Sequence, residues 1–324
     1  MSAHIRLQTR VDDYLAERRR LGFDLRSHDT LLADFVKFVA DHHHHGPLTV
    51  ELMADWVRTG KGGLGTPETW YRRMEKLRRF IRYLRQFEPQ TELPDASIYG
   101  PEPGRVAPHI YREDELVELL AAARKLGPRG SLRPVTFETL FGLMASTGVR
   151  ISEALHLRDA DVDLRRGILI VRQTKFAKSR QLPLHPSTSE VLAHYRRQRM
   201  RQVPTPADTS FFVGCRGQQR GQPLHARQVH RVFNGLRDGL GWVNRGAHAA
   251  PRLHDLRHTF AVRRLIRWYR AGTDVDQMML ALSTYLGHTK ISYTYWYLSA
   301  VPELMTLAGG KFEHFFESGG ADDE

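Results

Sequence analysis

The chain has 324 residues, 41% of them hydrophobic and 26% charged, which is enough material for the cores of two domains. A formal net charge of +12 points to a polyanionic partner, with nucleic acid ahead of a membrane surface. The single cysteine, Cys215, excludes an internal disulfide framework, and no apolar run approaches the roughly 18 residues of a membrane span, so a soluble, cytoplasmic protein without a signal peptide is expected.

The first expected helix covers residues 7–21, with Leu7, Val11, Tyr14, Leu15 and Leu21 inward and Gly22 closing it. A second begins after Ser27 and carries Leu31, Leu32, Phe35, Phe38 and Val39. The histidines at 42–45 read as a solvated turn before Gly46-Pro47 rather than a metal site, because no cysteine or acidic cluster completes a ligand set. A short third helix runs from Val50 to Arg58, and a fourth from Thr66 to Phe87. The fourth has an apolar stripe of Trp70, Met74, Leu77, Ile81 and Leu84. On another face Arg72, Lys76, Arg79 and Arg82 form a run of one sign, with only Glu75 close by. Such a run is poor design for solubility alone and is read as facing DNA. Residues 1–88 are therefore expected to form a helical, DNA-binding domain.

Residues 89–108 are proline-rich, aperiodic and poor in apolar side chains, the composition of a linker. Beyond them helices are expected after Tyr111 to Lys125, over Pro134–Thr147, and from about Arg150 to His156. Two short strands follow, residues 167–171 and 179–184, joined by a connection that carries Lys175 and Lys178. Helices near 187–201, 225–239 and 254–270 and a short set from Val275 to Leu298 complete residues 109–301. The charge is concentrated in this half: residues 104–301 hold 31 Lys and Arg against 15 Asp and Glu, whereas residues 1–103 hold 16 against 15. The tail, 302–324, is acidic, with an apolar face and a Gly309-Gly310 pair expected to act as a hinge.

Several short motifs carry chemistry. In Thr147-Gly-Val-Arg-Ile-Ser-Glu-Ala-Leu155 the glycine ends one helix, so Arg150 starts the next and Glu153 can reach back to hold its guanidinium. In His254-Asp-Leu-Arg-His-Thr-Phe-Ala261, His254 and Arg257 are three positions apart and share a helix face. His258 points elsewhere on that helix and is read as structural or supporting. Leu286-Gly287-His288 precedes Tyr297 by nine positions, counted from the histidine. Arginine and histidine suit phosphate and a phenol can be a nucleophile, which suggests phosphoryl transfer through tyrosine.

This ordered set resembles the tyrosine recombinase (phage integrase) family. The likeness covers the whole second domain, and the helical first domain fits that family's core-binding domain. It implies a mainly α fold with a small β-hairpin or sheet, arranged as a two-domain DNA clamp. Residue by residue, the family's two catalytic arginines correspond to Arg150 and Arg257, its His-x-x-Arg histidine to His254, its second histidine to His288 and its nucleophile to Tyr297. Tyr295 is the runner-up for the nucleophile. The family's hairpin lysine corresponds to Lys175, although Phe176 stands where glycine is usual, and Lys178 is taken as a DNA contact.

The resemblance implies cleavage to a 3′-phosphotyrosine with a free 5′-hydroxyl, followed by rejoining to a partner strand. The arginines would hold the phosphate oxygens, His254 would help remove the phenolic proton, His288 would donate to an oxygen, and Lys175 would protonate the leaving group. Neither cofactor, metal nor ATP is called for. The expected partners are double-stranded DNA and further copies of the chain, a dimer on each site and a tetramer in synapsis, with a nucleoid-associated location and no membrane. In the family a tail like 302–324 docks on a neighbouring protomer, although folding back on its own domain is an equal alternative. The phrase around Tyr297 is most similar to transposon-borne members. The rivals are a type IB topoisomerase-like nicking-closing enzyme and a DNA-binding relative that has lost catalysis.

Overall fold

The computed structural model describes residues 3–23, 25–59, 65–172, 179–204 and 208–319. Two compact units divide the chain between Arg105 and Val106. The first is helical: α1 (Ala3–Arg20), α2 (Arg26–Asp41), α3 (Val50–Arg58) and α4 (Pro67–Leu84). Helices α3 and α4 each begin on a threonine: the Thr49 hydroxyl accepts from Leu52 N–H, and that of Thr66 from Thr69 N–H. The apolar stripe of α4 buries Met74, Leu77, Phe80, Ile81 and Leu84 against Phe35, Trp56 and Tyr14 of the other helices. Its helix stops at Leu84, three residues short of the expected end.

The stretch read as a linker from residue 89 differs from that reading. Glu92 N–H donates to Leu48 O at 2.9 Å, its carboxylate accepts Val50 N–H at 2.7 Å, and Leu93 and Tyr99 pack on the first core. A proline-rich, aperiodic segment can still dock where single apolar side chains and one cap find partners, and composition does not register that. The histidines at 42–45 end α2: His42 Nδ1 lies 2.8 Å from Phe38 O and His44 Nε2 2.9 Å from Pro47 O.

The second unit contains α5 (Glu113–Arg124), α6 (Leu132–Thr147) and α7 (Ile151–Leu155), then three strands: β1 (Val162–Asp163), β2 (Ile168–Val171) and β3 (Arg180–Pro183). The sheet is antiparallel in the order β1-β2-β3, with Val162 opposite Leu169 and Val171 opposite Arg180. The two-residue β1 was not expected, because it is too short to show an alternating pattern. After it come α8 (Pro186–Gln202), α9 (Ala226–Leu240), α10 (Asp255–Arg270), α11 (Val275–Leu286), α12 (Ser292–Ala300) and α13 (Pro302–Gly319). One core gathers Phe137, Phe141, Leu169, Tyr195, Phe211 and Phe233. Another, under the chain's last helices, gathers Phe260, Leu265, Met279, Leu286, Tyr297 and Leu304.

The expected Gly309-Gly310 hinge is corrected: both glycines lie inside α13. A glycine costs a helix only about 1 kcal/mol relative to alanine. Here the preceding turn is anchored by Leu304, fully buried in its own unit's core.

Candidate active site

Three segments far apart in sequence build the site. The first is the turn after α6. Gly148 closes that helix at φ +64°, and a Cβ there would lie 2.6 Å from Phe260, so the turn needs glycine. Arg150 then caps α7. Its N–H donates to Glu153 Oε2 at 2.9 Å and its Nη1 to Oε1 at 2.8 Å. Arg180, the first residue of β3, donates to both oxygens of the same carboxylate at 3.0 and 2.9 Å, and through Nε to Tyr285 O at 2.8 Å.

The second segment is the start of α10. Arg257 is 2% exposed and donates to Gly148 O and to Leu286 O, both at 2.6 Å. Arg150 Nη2 donates to the next carbonyl, Gly287 O, at 3.1 Å. The two guanidiniums, contributed by residues more than a hundred positions apart, are thus held on adjacent carbonyls of one turn. That turn also needs its glycine: Gly287 sits at φ +67°, and a Cβ would come within 2.7 Å of the anchored Arg180.

The third segment is α12. The Tyr297 ring is 1% exposed, and its hydroxyl lies 2.8 Å from His258 Nδ1. The His288 ring stacks on the Tyr297 ring with centroids 6.5 Å apart, and His288 Nδ1 is 2.8 Å from Thr294 Oγ1. The competing tyrosines sit differently. Tyr285 stacks on Phe260, and Tyr295 is 38% exposed with its hydroxyl 3.4 Å from Asp276.

Two residues of this cluster were misjudged or missed from sequence. His258, expected to point away, is the side chain on the phenol, while His254 meets the His258 ring edge-on with centroids 4.8 Å apart. The signal was present as the i, i+4 spacing of His254 and His258, which puts both on one face. Arg180 belongs to the hairpin phrase that carries Lys175 and Lys178, but the sequence assigns it no role. Lys175 and Lys178 lie outside the described residues. Among the described residues no three His, Cys, Asp or Glu side chains gather as a metal-ligand set. Nor is any helix among them long and apolar enough to cross a membrane.

Residues 110–303 match the model of the phage integrase family. The chain belongs to that family. Its members are tyrosine recombinases, enzymes that cut and rejoin DNA strands. The chain is 36% identical over 311 residues to y4rB of Sinorhizobium fredii, a protein named as an integrase/recombinase, covering 95% of this chain and 97% of the relative. It is 27% identical over 238 residues to the tyrosine recombinase XerC of Bacillus subtilis, covering 72% of this chain and 71% of that one. Its fold is shared with the Tn1549 transposon integrase, at a TM-score of 0.65 and 17% identity, covering 94% of this chain and 99% of the other. The lambda integrase dimer bound to a core site has a TM-score of 0.61 at 17% identity, covering 89% and 96%.

In this phage-integrase site the electrostatics follow from burial. Burial by itself would raise the Glu153 carboxyl, but the guanidinium of Arg180 and the backbone and side chain of Arg150 hold it at about 2. It is ionised at neutral pH and serves two cations at once. Burial, then the charge of Arg150, lowers Arg257 to about 9, which still leaves it protonated at neutral pH. His254 falls to about 4, through the crowding of protein around its ring and then Arg257 and Arg252, although the residue keeps an exposed side. His258 falls to about 2, through burial and then His254, Arg252, Arg257 and His288. Both imidazoles are therefore neutral in the free protein.

The basic stripe lies on α4, in the other unit. Arg72, Arg79 and Arg82 are exposed; Lys76 is half-buried, with Nζ 3.4 Å from Ser27 Oγ. Arg79 also reaches Glu75 at 3.3 Å.

Proposed function

We propose that this chain is a site-specific DNA recombinase that works through a 3′-phosphotyrosine at Tyr297, with Arg150, Arg257, His254, His288 and Lys175 as its catalytic set. The observation that carries the reading is the pair of guanidiniums on the adjacent Leu286 and Gly287 carbonyls, with the Tyr297 phenol in the same cluster. A guanidinium has five N–H donors in a planar fork, so it can keep a backbone anchor and still offer an edge to a phosphate oxygen. Two such groups, both fixed in advance and one of them, Arg257, withdrawn from water, favour the charge that builds on phosphorus as the phenol attacks.

Glu153 orients Arg150, and Arg180 ties that carboxylate to the foot of the β2–β3 connection. The Val171–Arg180 pair closes the ladder beside the site, which supports Lys175 in that connection as the group that protonates the leaving 5′ oxygen. His288 would donate to a non-bridging oxygen.

Double-stranded DNA is the proposed partner, in keeping with the net charge, the stripe Arg72, Lys76, Arg79 and Arg82 with Lys178, and the lambda integrase dimer bound to a core site. A dimer on each site and a tetramer in synapsis, a nucleoid-associated location, and movement or integration of a mobile element complete the proposal.

The test is a suicide duplex nicked close to the cleavage point. Wild-type protein should form a covalent adduct without metal or ATP, and Tyr297→Phe should form none. An adduct of unchanged yield with Tyr297→Phe defeats the assignment.

A further inference from the structure

We propose that His258 is the catalytic residue that takes the phenolic proton as Tyr297 attacks, and that it returns this proton when the strand is rejoined. The inference rests on the reading of Tyr297 as the nucleophile. A proton is transferred between groups already in hydrogen-bond contact, and His258 Nδ1 is 2.8 Å from the Tyr297 hydroxyl. For attack the O–H must donate and Nδ1 accept, so the ring's own proton sits on Nε2.

The contact is not an accident of a loose surface. Tyr297 is 1% exposed, and the His258 ring is bracketed by Trp296 at 5.9 Å on the α12 side and by His254 at 4.8 Å on its own helix. The phenol is thus held inside the packed helices with its oxygen against the His258 nitrogen. His254, a turn earlier, meets the His258 ring edge-on and is otherwise exposed.

The step balances. The Tyr297 O–H bond breaks and its proton moves to Nδ1, giving an imidazolium. The phenolate pair forms the O–P bond, and the P–O5′ bond breaks with its pair on the 5′ oxygen, which takes a proton from the general acid of the cleavage step. On rejoining, a 5′-hydroxyl gives its proton to that same group and attacks phosphorus. The phenolate leaves and recovers its proton from His258, so no proton is gained or lost over the cycle.

In the free protein burial and the positive charge of Arg252 and Arg257, with the neighbouring His254 and His288, keep His258 unprotonated. That is the state a base must start in. A bound phosphodiester places negative charge among those same arginines, offsets them, and raises the affinity of His258 for a proton when substrate is present. Activation of the nucleophile is then tied to occupancy of the site.

The experiment compares single-turnover adduct formation by full-length wild type, His258→Asn and His258→Gln on the suicide duplex. Each is tested with an ordinary 5′-oxygen and with a 5′-bridging sulfur leaving group. Asparagine keeps a hydrogen-bonding atom near the place of Nδ1 but cannot take up a proton. Gel-shift binding to the same duplex establishes that each variant is folded. The expected result is a loss of about 100-fold in rate for both variants. The loss should persist with sulfur, which relieves only the leaving-group step. Replacing Tyr297 by 3,5-difluorotyrosine, a more acidic phenol with less need of a base, should shrink it to below about 10-fold. The proposal is overturned if His258→Asn cleaves within about threefold of wild type, or if sulfur restores the rate, since His258 would then act on the leaving group. Adduct formation by Tyr297→Phe signals the separate failure of the nucleophile assignment.

Discussion

The two compact units hold their positive charge in opposite ways. In the second, Arg257 is 2% exposed and tied to two carbonyls, while Arg150 and Arg180 share one carboxylate. In the first, Arg72, Arg79 and Arg82 stand in solvent along α4. A buried, anchored guanidinium has already lost its water and its freedom, so it answers to charge appearing at one point. An exposed one attracts a polyanion from a distance and is screened beyond about 8 Å at physiological salt. The buried arrangement suits chemistry and the exposed one suits encounter.

The sharpest way to break this contrast is Arg257→Lys. It should slow adduct formation by about 100- to 1,000-fold while leaving gel-shift affinity within a few-fold, because lysine keeps the charge and loses the fork. An effect confined to affinity would make the buried arginine just another binding cation. Next comes Glu153→Gln, which leaves Arg150 and Arg180 without their counter-charge and should cost about 3 kcal/mol in urea unfolding near neutral pH. The sign is set by the depressed carboxyl: its contribution is complete above the ordinary value of 4.5 and is lost as pH falls toward about 2. Wild type and Glu153→Gln should therefore converge in acid.

Titration of the two imidazoles on α10 sharpens the same point. His254 and His258 bind protons less readily folded than unfolded, where the value is 6.5, so stability should fall as pH drops below 6.5 toward about 4. Thermal melts of His258→Asn over that window should show a shallower fall than wild type. On the other side of the comparison, the double variant Arg79→Ala and Arg82→Ala should lower the log–log salt slope of binding by about 0.9 for each phosphate that it no longer neutralises. The cleavage rate at saturating protein should stay unchanged. The smallest effect belongs to the tail: Gly309→Ala and Gly310→Ala should each stabilise α13 by up to about 1 kcal/mol. A loss of synapsis in that variant would instead mean that the glycines must bend during assembly.

The helices of both units were largely legible in the sequence, because an apolar stripe at helical spacing is a local signal. Val50–Arg58 matches residue for residue, and Thr147-Gly148 marked both the end of α6 and the position of Arg150. The docking of residues 89–105 on the first unit was not legible, since it depends on Glu92, Leu93 and Tyr99 meeting partners about forty residues earlier. The role of Arg180 was hidden for a similar reason: it lies in Glu153, 27 positions upstream on another element.

By itself the sequence offered a candidate catalytic set of two arginines, a lysine, two histidines and a tyrosine in a set order, mostly on helices whose spacing and glycine stops are readable residue by residue. The tertiary structure alone decided who touches whom. It put His258 rather than His254 on the phenol and both guanidiniums on the carbonyls of one turn. Helical spacing is governed by neighbours within a turn, whereas these contacts join residues 29 to 137 positions apart, and they exist only once the packed helices have brought distant backbone together.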